Sequence, residues 1–189
     1  MELASRRGGA IRRSILQLIV VIGLAPKSAF PQSADISAEQ RVRDLGLQLP
    51  RFSAPAAGNN PALVQTGKLA FLAGLGPRNP DGSYISGRLG QDTSVEQAYQ
   101  HARLSGLRAL AALQDGLGSL DRVSHIVKLL GMVHATPDFS DLGRVIDGCS
   151  DLFVEVFGPQ RGRHARTVVG VASLPANLTV VIDLVVEVV

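Results

Sequence analysis

Arg166 stands at the head of an otherwise apolar, β-branched run, RTVVGVA, at residues 166–172. An arginine so placed must either reach solvent or find an anion. Its guanidinium is planar, permanently charged and forked, so it meets a carboxylate through two parallel hydrogen bonds, a geometry lysine does not reproduce. Binding a carboxylate is therefore the first chemistry to consider, with Arg166 as the anchor. The competing reading is a solvated arginine in the basic run Arg161, Arg163, His164 and Arg166.

The other reactive types offer less. Cys149 is the single cysteine, so it has no internal disulfide partner, and it lies on an apolar helical stripe where a buried packing role is expected. His101, His125, His134 and His164 are scattered without metal-ligand spacing. No metal and no cofactor is expected.

Charge argues against nucleic acid. The formal net charge of +3 owes its sign to Arg6, Arg7, Arg12, Arg13 and Lys27, which precede Asp35 in a stretch whose only acid is Glu2. From Asp35 onward 14 basic residues face 15 acidic ones, which leaves no cationic excess to neutralise a phosphate backbone.

The basic stretch reads as an address. Residues 5–13 (SRRGGAIRR) are cationic and residues 14–25 (SILQLIVVIGLA) mostly apolar, the order of a secretory signal peptide, and the apolar run is short for a membrane span. Residues 1–34 are thus expected to be a leader, cleaved between Ala25 and Ala34, with the mature chain periplasmic or secreted and free of the membrane. Arg6-Arg7 also resembles a twin-arginine signal without its usual hydrophobic pair. An uncleaved tail or tether is the remaining alternative.

The elements that must position Arg166 follow from periodicity. Residues 35–57 read as a lead-in helix and linker, with a Ser37-x-x-Gln40 capping box and apolar Val42, Leu45 and Leu47. Residues 50–61 are loop-like, rich in Pro, Gly and Asn. The domain proper is placed at residues 58–189. Strands are expected at Leu63–Gln65 and Leu69–Ala73, joined by the turn Thr66-Gly67-Lys68. After a Gly-rich connection, Thr93 with Glu96 forms a capping box for a helix running to Gln114, ended by Gly116 and Gly118. Its stripe of Ala98, Ala102, Ser105, Ala109 and Ala112 suits a face lying flat on strands. His125–Ala135 reads as a central strand, and Phe139 to Val156 as an amphipathic helix stopped by Gly158-Pro159. Arg166–Ala172 and Thr179–Val189 are strands flanking the turn-like residues 173–177. The order β-β-α-β-α-β-β implies an α+β fold with helices on one face of a mixed sheet. Nearly every residue of the last strand is apolar, on both alternation classes, so its second face needs a partner and a homo-oligomer is implied.

The segment HARTVVGVASLPANLTVVIDL (164–184), with TGKLAFLAGLGP (66–77) and ATPDFSDLGRVIDGCSDLFVEVFG (135–158), resembles the RidA/YjgF family, the endoribonuclease L-PSP/chorismate mutase-like group. The resemblance extends over residues 58–189. It implies a chorismate mutase-like fold, a homotrimer with ligand clefts between subunits, and hydrolytic deamination of enamines and imines such as 2-aminoacrylate, the 2-iminobutanoate/2-iminopropanoate chemistry. It also implies that Arg166 grips the carboxylate of a small metabolite, with Ala73, Gly74 and neighbouring backbone up to Gly76 lining the cleft. Against active members the chain departs at several positions. Val181 stands for the acid that handles the attacking water, with Asp183 on the second acid. Ala62 stands for a tyrosine, Ala73 for a serine and Asp147 for an asparagine. Two readings stay open, a deaminase and a non-catalytic trimer of the same fold that binds a small carboxylated metabolite. Chorismate mutase-like isomerisation is more distant because it wants several converging cations, and ribonuclease action lacks a histidine pair and a basic track.

Overall fold

Small side chains decide how closely the helices approach the sheet. The computed structural model describes residues 37–51 and 59–189, so the expected leader at 1–34 and most of the expected linker lie outside the described residues. Among the described residues the elements are α1 (Ala38–Asp44), β1 (Leu63–Thr66), β2 (Leu69–Leu75), α2 (Val95–Leu117), β3 (Val123–His134), α3 (Leu142–Gly162), β4 (Ala165–Val171) and β5 (Val180–Val188). Short 3-10 turns precede β3 and β5.

The strands form one sheet in the order β1-β2-β5-β3-β4. β3 and β4 run parallel and every other neighbouring pair is antiparallel. The mixed α+β sheet expected from the element order is what forms. Parallel pairing of β3 with β4 follows from the crossover through α3.

Both long helices cover the same face. Ala98, Ala102, Ser105, Ala109 and Ala112 of α2 are all buried, as the stripe implies. α3 buries Val145, Ile146, Cys149, Leu152, Phe153 and Val156. They meet Leu72, Ile126, Leu129, Val133, Ile182, Leu184 and Val186 from the sheet. Burial raises the Cys149 thiol pKa well above its ordinary range, which leaves the residue an inert filler. Where α3 crosses β3, a Cβ on Gly131 would stand 2.7 Å from the Ile146 side chain, so glycine there lets helix and strand close up.

Several boundaries differ from expectation. The cap of α2 is Ser94, whose hydroxyl accepts from Gln97 N–H while the Gln97 side chain accepts from Ser94 N–H. The Thr93/Glu96 box is thus shifted by one residue, and the Thr93 hydroxyl donates to Asp92 instead. α2 runs through Gly116 and ends at Gly118, whose φ of 82° only glycine adopts without strain. β2 extends to Leu75 across a bulge, and β3 starts at Val123 rather than His125. Gly158 breaks α3 at φ 75°, yet one more turn follows through Gly162. Val42 of α1 is buried and Leu47, beyond the helix end, packs on the core, but Leu45 at the C-cap is exposed. α1 is tied to the domain by Glu39, whose carboxylate accepts from Leu120 N–H and the Gln114 amide.

The other face of the sheet carries Val64, Leu69, Phe71, Val127 and Val169, all exposed. Val64, Phe71, Val185 and Lys128 lie in one row across four strands. Val181 and Asp183 share this face.

Candidate functional site

Register fixes where Arg166 points. It pairs with Leu129, whose side chain is fully buried under the helices, so strand alternation turns Arg166 toward α3 as well. There Nη1 donates to Asp147 Oδ1 at 2.7 Å and to Ser150 Oγ at 3.0 Å. Asp147 and Ser150 are three residues apart on α3 and so share one helical face. The Arg166 and Asp147 side chains are 29% and 43% exposed, so the pair is reachable from solvent. Arg166 has found its anion within its own chain.

A second hold comes from His164. Its Nδ1 lies 2.7 Å from the Gly162 carbonyl and its Nε2 3.1 Å from Ser150 Oγ. A carbonyl only accepts, so Nδ1 carries the proton and Nε2 is the bare acceptor. Ser150 therefore donates to His164 and accepts from Arg166. Burial lowers the His164 pKa, and the charge of Arg166 adds to that, which favours the neutral ring this chain of bonds requires.

Among the described residues, Nε and Nη2 of Arg166 make no hydrogen bond. A Cβ on Gly143 would stand 3.9 Å from Nη2, so the free side of the fork borders the first turn of α3. That turn has no side-chain cap, since the Asp141 carboxylate bonds Arg144 instead. Uncapped N–H groups and an unfilled guanidinium edge together favour an anion. Beyond Asp147 a groove of about 330 Å³ opens between α2 and α3, lined by Glu96, Tyr99, Arg144 and Asp151 among others.

Ala73 and Gly74 are not brought to Arg166 within one chain. They lie on β2, which β5 and β3 separate from β4, three strand spacings or about 14 Å away. Ala73 N–H donates to the Ala62 carbonyl at 2.8 Å, and a Cβ on Gly74 would stand 2.8 Å from Val181 Cγ1. The sequence-derived positions thus fall into two clusters, Arg166 with Asp147 under α3, and Ala62, Ala73, Gly74 and Val181 around β2. The Gly76 carbonyl is occupied by Arg108. Ser150 and His164 were not singled out from sequence. The available signal was Ser150 one residue inside a helical turn from Asp147, and His164 two residues before Arg166.

A second polar cleft of about 500 Å³ is lined by Arg88, Asp92, His134 and Asn177 among others. His134 Nδ1 is fixed there by the Gly87 carbonyl at 3.0 Å. Among the described residues no group of three or more His, Cys, Asp or Glu could hold a metal ion, and no helix is long and apolar enough to cross a membrane.

A mixed five-stranded sheet backed on one face by two helices, with an edge-strand arginine held from the second helix, defines an α+β domain of chorismate mutase-like architecture. Residues 39–188 match the family model described as "YjgF/chorismate_mutase-like, putative endoribonuclease", and the chain belongs to this RidA/YjgF family. The Trypanosoma cruzi protein TCP17 is 40% identical over 143 residues, covering 76% of this chain and 89% of that one. A Shewanella oneidensis crystal structure carrying the same endoribonuclease description is 31% identical at a TM-score of 0.75, covering 80% of this chain and 99% of the other. The Agrobacterium tumefaciens protein Atu1372, of unknown function, is 34% identical at a TM-score of 0.70, covering 82% and 93%.

Proposed function

We propose that this chain is an enamine/imine deaminase for small 2-imino acids, with Arg166 binding the substrate carboxylate and the active cleft formed between subunits of a homotrimer. The observation that carries the reading is the state of Arg166. Its position is fixed by Ser150 and Asp147, while the Nε/Nη2 edge stays unfilled beside uncapped helix N–H groups. Membership of the family supports it. So does the apolar open face of the sheet, which has the character of a subunit interface.

The second reading is a trimer that binds carboxylated metabolites without turnover. Val181, Ala62 and Ala73 favour it, because none of these side chains accepts a proton or orients water.

The test is Arg166→Ala, read by pyruvate binding and by ammonia release from 2-aminoacrylate generated in the assay. Pyruvate affinity should fall at least tenfold, the low end for a charge-assisted pair, since the site is partly exposed. Turnover should vanish while the fold persists, because the Asp147 left behind can hydrate. Arg166→Lys should restore only part of the loss. The exposed Arg163→Ala is the control for general loss of charge. Normal binding and turnover in Arg166→Ala would place the anchor elsewhere, and loss of binding with no turnover even in the unaltered chain would support the second reading.

A further inference from the structure

We propose that Asp147 is the general base that activates water in imine hydrolysis, in place of the acid missing at Val181. This rests on the deaminase reading above.

Val181 lies on the open face of the sheet, against Gly74, and cannot serve. Arg166 lies on the covered face, and the carboxylate in contact with it is Asp147. A substrate carboxylate arriving on the free Nε/Nη2 edge lands beside that carboxylate and neutralises the charge that holds it. Asp147 then lets go of the guanidinium with its carboxylate intact. Arg166 does not follow, because Nη1 keeps its bond to Ser150, and Ser150 is in turn held by His164 and the Gly162 carbonyl. The network thus separates two tasks, holding the anchor and freeing the base.

The charged and titratable groups facing Asp147 are Arg166 from β4, Arg144 and Asp151 from its own helix, and Glu96 and Tyr99 from α2. Tyr99 is engaged with Asp151 at 2.9 Å, and Arg144 with Asp141 and Glu96, so none of them occupies Asp147. Once released, Asp147 meets water and substrate.

The steps balance on these groups. Water oxygen bonds the iminium carbon, the C=N π pair moves to nitrogen, and Asp147 takes the water proton, giving a neutral carbinolamine. Asp147 then returns that proton to nitrogen. The C–N bond breaks with its electron pair leaving on ammonia, the hydroxyl oxygen closes to C=O, and Asp147 takes the hydroxyl proton and passes it to ammonia. The net change is iminium plus water to keto acid plus ammonium.

Asp147→Asn in the full chain is the test, with keto-acid formation from 2-iminopropanoate generated in the assay and calorimetric binding of pyruvate measured side by side. A lost general base should lower kcat about a hundredfold or more. Pyruvate binding should hold or tighten by up to about fivefold, since the internal competitor for Arg166 is removed. Asp147→Glu should regain part of kcat. A kcat within about threefold of the unaltered chain overturns the assignment. Loss of pyruvate binding also overturns it, because Asp147 would then only position Arg166. Absence of turnover in the unaltered chain that still binds pyruvate refutes the deaminase reading itself, and the base with it.

Discussion

Gly148→Ala is a one-methyl change that should disable both the fold and the site. Gly148 lies between Asp147 and Cys149 on the buried side of α3, where α3 crosses α2. A Cβ there would stand 2.9 Å from the Tyr99 carbonyl carbon and 3.2 Å from Tyr99 Cγ, and closer still to the carbonyl oxygen. Backbone cannot step aside as a flexible side chain can, so the helices must separate. Alanine gains up to about 1 kcal/mol over glycine in a helix interior. Overpacking against fixed atoms costs about 1–3 kcal/mol or more, so the clash wins. A net loss of about 2 kcal/mol would lower Tm by roughly 5–10 °C in a domain of this size. Pyruvate binding should weaken with it, because the shift of α3 carries Asp147 and Ser150 away from Arg166. The matched control is Gly116→Ala in α2, whose Cβ would meet Leu63 at an ordinary 3.4 Å. It should hold Tm or raise it. Differential scanning calorimetry on the three proteins decides the matter: a Gly148→Ala variant as stable as the unaltered chain would mean that the α2/α3 approach is not as close as described.

The proposed trimer should give about three times the monomer mass by light scattering, and Val185→Lys should reduce it to monomer, since Val185 is only half-buried within one chain but would be enclosed by a partner. A monomeric unaltered protein, or a variant that still assembles, contradicts this. For His164 the folded pKa lies below the unfolded value of 6.5, so the unfolded chain binds more protons as pH falls below about 6.5 and stability is lost in that direction. Tm should therefore drop more steeply between pH 7 and pH 5 than in His164→Asn, and equal slopes would remove His164 from the account; His101, also lowered by burial, contributes equally to both proteins. Export is proposed from the cationic-then-apolar leader. Fractionated cells should hold a shortened product outside the cytoplasm, and a full-length cytosolic product would refute the idea.

Element type was legible wherever local pattern and tertiary role coincide. The alanine stripe of α2 marked a face for close packing, and all five of its residues are buried. Cys149 fell on the buried stripe of α3 for the same reason. Boundaries were less legible because caps compete. Thr93 and Ser94 are both good N-caps by type, and only the folded chain shows the choice, with Ser94 accepting from Gln97 N–H and Thr93 donating to Asp92.

The sequence by itself determined the type and order of the main elements, carried the family resemblance, and left Arg166 two options, solvent or an anion, since hydrophobic periodicity and the solvation of a charge are local facts. Only the tertiary structure decided which face Arg166 takes. That depends on its parallel register with Leu129, a contact 37 positions away in the chain. The same register set Asp147 and Ser150 beside the guanidinium, while the antiparallel pairing of β5 with β3 placed Val181 on the opposite side of the sheet. A strand's alternation is written in its residues, but the side that becomes interior is fixed by what the strand pairs with and what packs above it.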